Sequence, residues 1–155
     1  MFWKRLASSA VLVVLALIFL IWGGAALGIL CTVLSLIAFH ELTKACHVAE
    51  NKEAGALIAA GDAGIVLFGA AMLLTKNMLW GMGALVLMFL ACMFVYVFRF
   101  PKYHADQVMT VFFCAFYPGV LFSFLYLTRE LTWGVYLVWL IFISSVSYTH
   151  LTLPT

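Results

Sequence analysis

The chain has 155 residues, 67% hydrophobic and only 9% charged, with a mean hydropathy of +1.19. Soluble domains carry roughly 45–50% apolar and about 25% charged residues, so the composition excludes a soluble globular enzyme, a disordered tail and a small disulfide scaffold. A net charge of +2 is too small for a nucleic-acid surface, which needs many phosphate-neutralising cations.

The charges are also unevenly placed. None lies between Leu6 and Phe39, between Asn77 and Phe98, between Gln107 and Thr128, or from Leu131 to the end. A hydrocarbon core about 30 Å thick is crossed by roughly 20 apolar helical residues. The expected fold is therefore all-α: a polytopic membrane protein of about six transmembrane helices, the last truncated.

The first helix is expected over about Ser8–Trp22. Lys4, Arg5 and the apolar stretch behind them have the length of a signal peptide, but no small-x-small cleavage site leads into a polar chain. Gly23-Gly24 is a natural break, and a second helix is expected over Ala25–Phe39. The polar segment His40–Glu53 follows. A third helix is expected over Ala54–Leu74, a short turn at Lys76-Asn77, and a fourth helix over Met78–Phe98. Pro101 lacks an amide hydrogen and disfavours helix at Phe100, so Arg99-Phe-Pro-Lys closes the fourth helix. A fifth helix is expected over Val108–Leu127, interrupted at Tyr117-Pro118-Gly119, and a sixth begins near Thr132.

Lys and Arg in short loops set orientation. With the N-terminus inside, the inner segments hold Lys4, Arg5, Lys44, Lys52, Arg99 and Lys102, and the outer ones hold Lys76 and Arg129. Six cations against two place the N-terminus in the cytoplasm. Trp3, Trp22, Trp80 and Trp133 fall near expected span ends, as aromatic belts do.

Two regions are expected: a transmembrane helical region, 1–145, and a non-native tail, 146–155. The tail, VSYTHLTLPT, resembles in one reading frame the transposon end and adapter DNA used to prepare sequencing libraries. On that reading His150 and Pro154 carry no biology.

Chemistry-bearing residues are sparse. His40-Glu41-Leu-Thr-Lys44 begins like the zinc-protease motif H-E-x-x-H, but Lys44 stands where the second ligand is needed. His40 and His47 are seven apart, which puts them on one helical face, with Glu41 and Lys44 as an i,i+3 pair beside them; a metal or headgroup site is one reading of this cluster, and a solvated interfacial helix is the plainer one. The four cysteines show no CxxC spacing, and three lie in apolar runs, which suggests neither a disulfide framework nor a zinc site. Asp62 is the only acid within an apolar stretch, and burying an ionisable group in a membrane costs several kcal/mol. Gly55, Gly61, Gly64 and Gly69 share its helix and would allow close helix packing. Tyr117-Pro118-Gly119 would kink the fifth helix and free backbone carbonyls. Glu41 and Asp62 are the two candidates for polar or headgroup contacts; the residues assign no catalytic, cofactor-binding or metal-ligating position. An alternative is a complete small scaffold or transporter subunit centred on Asp62 and the Tyr117-Pro118-Gly119 kink.

The order of these features resembles the N-terminal half of bacterial phosphatidate cytidylyltransferase, or CDP-diacylglycerol synthase. The similar pieces are the opening Phe2-Trp-Lys-Arg5-Leu6-Ala-Ser8-Ser9, the Gly23-Gly24 break, Phe39-His-Glu41-Leu42, Tyr117-Pro118-Gly119, and Gly134 through Ser145. The resemblance implies a CTP-dependent nucleotidyltransferase of phospholipid biosynthesis that converts CTP and phosphatidic acid to CDP-diacylglycerol and pyrophosphate. It implies CTP and phosphatidic acid as partners, with no nucleic acid, and Mg2+ as the full-length family's cofactor. The family's Lys-Asp, Pro-Gly-His-Gly-Gly and Asp-Arg signature lies in a second half that has no counterpart here. The expectation is thus a fragment, inactive by itself. The implied setting is the cell inner (plasma) membrane, multi-pass, and a homo-oligomer is compatible with all of this.

Overall fold

The computed structural model describes residues 18–48 and 54–152, with side chains through Ser144. Every regular element among them is helical: α1 Gly24–Ala45, α2 Gly55–Thr75, α3 Met78–Phe98, α4 Ala105–Glu130 and α5 Gly134–Thr152. Residues 18–22 form a helical segment ahead of α1. Helices α1 to α4 are each long and apolar enough to cross a membrane, and the described apolar stretch of α5, Gly134–Ser144, is shorter. Most of the expected first helix lies outside the described residues. Helix α5 runs past Ser145 to Thr152, across the boundary expected for the tail.

Helix α3 coincides with its sequence expectation because both of its ends are local signals. Asn77 is the N-cap, its Oδ1 accepting from the Leu79 amide at 3.0 Å, which satisfies one of the first-turn donors. At the other end Pro101 prevents continuation. Helix α4 begins three residues earlier than expected, at Ala105. Gln107 Oε1 accepts from the His104 amide at 3.2 Å, the returning arm of a capping box, and Asp106 places negative charge at the positive helix end.

Two expectations are corrected. The second helix does not stop at Phe39; α1 continues through His40–Lys44 to Ala45. Polar side chains do not end a helix whose last turn simply leaves the hydrocarbon. The end comes where His47 adopts φ 57°. There the His47 amide donates to Lys44 O at 3.0 Å and the Val48 amide to Thr43 O at 3.1 Å, a Schellman closure with histidine in the left-handed position that glycine usually takes. Buried Val48 then turns back onto the core. His47 therefore lies beyond the helix and does not share a face with His40. Second, α4 runs through Pro118 without interruption. The carbonyl that Pro118 leaves without an intrahelical donor is that of Cys114, four residues earlier; Ser35 Oγ donates to Cys31 O at 2.8 Å and to Pro118 O at 3.4 Å, so α1 meets α4 at the proline.

The chain divides into two compact units. In residues 28–124 the core is built by Phe39 of α1, Leu57 and Ile65 of α2, Met88 and Cys92 of α3, and Val108 and Val111 of α4, all nearly inaccessible. Helix α2 packs along α3. In the described residues of the other unit, 18–27 and 125–152, Leu20, Leu27, Tyr126 and Val138 are buried. Its opening turn uses Gly23 (φ 63°) and Gly24 (φ 57°). The expected Gly-Gly break is present, and both residues sit where a side chain would strain the backbone.

Candidate functional site

The Asp62 carboxylate lies seven residues inside α2, about 10 Å along the axis at 1.5 Å per residue. His40 lies five residues, about 8 Å, before the end of α1. His40 Nε2 and Asp62 Oδ1 approach to 3.7 Å, and their side chains are 50% and 34% exposed. Asp62 Oδ1 itself is buried and has no hydrogen-bond partner among the described residues. An orphan carboxylate oxygen is costly in a medium that offers it no donor. The half-open imidazole, a little beyond hydrogen-bonding distance, is the nearest group able to compensate it.

The pairing follows from packing one residue earlier on each helix. Gly61 is buried, and a Cβ on it would come within 2.6 Å of Phe39 Cζ, so the Phe39 ring lies directly on the Gly61 backbone. That contact fixes α1 against α2 and brings the next residues, His40 and Asp62, together. Gly64 admits Met88 of α3 and Gly69 admits Thr32 of α1 in the same way, whereas Gly55 has open space around it. Three of the four glycines on α2 thus serve the close packing expected of small residues.

Glu41, the other candidate, is exposed and stands apart from the His40–Asp62 pair. It forms no ion pair with exposed Lys44. Sequence reasoning missed His40 as the partner of Asp62 because it grouped His40 with His47. The signal available was the matched order Phe39-His40 and Gly61-Asp62, an aromatic and a glycine each followed by a polar residue. Pro118 meets Ser35 instead, five residues before His40 on α1. The kink region and the carboxylate therefore lie about 8 Å apart along that helix and do not form one centre. Among the described residues no three of His, Cys, Asp or Glu gather as a metal site requires.

An all-helical chain with four membrane-length apolar helices, packed through glycine and carrying a polar pair recessed from the helix ends, is a polytopic membrane protein. The chain belongs to the cytidylyltransferase family, whose model matches residues 3–149, consistent with a CDP-diacylglycerol synthase-like chain. Searches of curated proteins and of solved structures returned no match.

Proposed function

We propose that this chain is the membrane-embedded N-terminal section of a phosphatidate cytidylyltransferase of phospholipid biosynthesis. The family match over residues 3–149 carries the reading. In that reaction a phosphate oxygen of phosphatidic acid attacks the α-phosphorus of CTP; the new P–O bond forms as the bond to pyrophosphate breaks. Charge builds on the phosphoryl oxygens, and stabilising it takes metal-bound carboxylates and fixed cations.

The sequence holds six Asp and Glu residues spread along 155 positions, without the family's Lys-Asp or Asp-Arg signature. We therefore assign CTP and Mg2+ binding to residues outside this sequence, and expect the 155-residue chain to be inactive by itself. Its own contribution is anchoring and a wall beside which phosphatidic acid reaches the reacting groups. In that role Asp62 orients the His40 ring, and His40 and Glu41 face the headgroup layer. The family implies the cell inner membrane; the charge-free runs support a multi-pass arrangement, and the Lys and Arg distribution supports a cytoplasmic N-terminus. Residues 146–155 we assign to translated adapter sequence.

The test is direct. The chain in phosphatidic-acid proteoliposomes with labelled CTP and Mg2+ should form no CDP-diacylglycerol above background; turnover would refute the inactivity. Sequencing the coding DNA beyond the Ser145 codon should show a frame carrying the missing carboxylates, and a continuation without them would overturn the enzyme reading.

A further inference from the structure

Arg129, near the end of α4, holds the carbonyl end of helical segment 18–22. Its Nε donates to Leu20 O at 2.9 Å and its Nη2 to Ile21 O at 3.3 Å. The guanidinium lies against the backbone of Gly23, where a Cβ would stand 3.0 Å from Nη2 and 3.1 Å from Cζ. The group is thus fixed in place before any ligand arrives. A guanidinium carries five N–H donors, and both acceptors met here are neutral carbonyls. Among the described residues Arg129 meets no carboxylate. The partial negative charge at a helix C-terminus offsets at most about half of a unit charge, so these carbonyls do not neutralise the guanidinium.

Beside this cation is a small cleft, with room for about one water, lined by Leu20, Val135, Val138 and Trp139, all apolar. At the adjoining helix ends Trp22, Trp133 and Tyr136 are 76%, 70% and 69% exposed, and the Trp133 and Tyr136 rings lie 5.9 Å apart. Exposed Trp and Tyr at the end of apolar helices mark headgroup depth.

We propose that Arg129 and this cleft bind an anionic phospholipid, its phosphate on the free edge of the guanidinium and the start of one acyl chain against Val135 and Trp139. A guanidinium matches phosphate geometry with paired N–H donors. A zwitterionic lipid brings its own ammonium to the same place and gains less. The site shares no residue with the His40–Asp62 pair and does not depend on the reaction proposed above.

The purified full chain, reconstituted in nanodiscs of equal phosphatidylglycerol and phosphatidylcholine and analysed by native mass spectrometry, should retain phosphatidylglycerol preferentially. Removing one cation near an anionic surface corresponds to about a fivefold loss of that preference, expected for Arg129→Gln. Arg129→Lys should keep most of it, because the charge remains. Val135→Trp fills the cleft with the cation untouched and should also lower retention. Equal retention by wild type and Arg129→Gln overturns the proposal. Should Arg129→Gln fail to fold, unchanged retention by Val135→Trp overturns it instead.

Discussion

Replacing Gly64 by alanine tests whether the α2–α3 contact is set by the absence of one methyl group. A Cβ at Gly64 would lie 2.7 Å from Met88 Cβ and closer still to Met88 Cγ. Ordinary carbon–carbon contact is about 3.5–4.0 Å, so the shortfall is about 1 Å. Met88 Sδ and Cγ can swing away, but Cβ is carried by the α3 backbone, so the helices themselves must part. Overpacking of this kind costs about 1–3 kcal/mol. Against it stands the higher helix propensity of alanine, up to about 1 kcal/mol. Gly83→Ala on α3 isolates that second effect, because a Cβ there meets nothing within 4 Å. The packing cost is the difference between the two variants: Gly64→Ala should be less stable than Gly83→Ala by about 1–3 kcal/mol. Reversible SDS titration in mixed micelles, followed by tryptophan fluorescence, reads that difference. In a double-mutant cycle Met88→Ala should relieve part of the Gly64→Ala cost, giving a non-additive pair. Equal midpoints for Gly64→Ala and Gly83→Ala would refute the reasoning.

Further outcomes follow from the caps and turns. Asn77→Ala removes the side-chain acceptor at the start of α3 and should lower stability by about 1 kcal/mol in the same titration. His47→Gly should raise it by about 1 kcal/mol, since a left-handed conformation costs a side-chain-bearing residue roughly 1–2 kcal/mol; unchanged stability would argue against the Schellman closure at the end of α1. At Gly134 a Cβ would collide with the backbone carbonyls of Thr128 and Arg129, which no rotamer change relieves. Gly134→Ala should cost about 3 kcal/mol or more and speed tryptic cleavage after Arg129, measured by mass spectrometry.

What could be read along the chain was whatever one segment decides alone. Charge-free runs located the spans, because a carboxylate or ammonium in hydrocarbon is penalised wherever the neighbours stand. The limits of α3 were legible for the same reason: Asn77 and Pro101 act on their own backbone. Gly23-Gly24 announced a turn because only glycine takes positive φ there without strain. The family resemblance rested on the order of such local features, and the family match agrees with it.

The rest was decided by tertiary contacts. The end of α1 was misplaced because polarity at His40–Lys44 marks where a helix leaves the membrane and does not mark where it stops. The stop lies at His47, held left-handed while Val48 closes onto the core. Pro118 did not interrupt α4, which continues to Glu130. Asp62 was visible as an acid in an apolar run, but its partner was not. His40 is 22 positions away, and only the seating of the Phe39 ring on Gly61 brings the two side chains to 3.7 Å. Composition fixes that a residue must avoid lipid. Which neighbour allows it to do so depends on how closely two helices approach, and here that distance is set by glycines whose role appears only once the helices are packed.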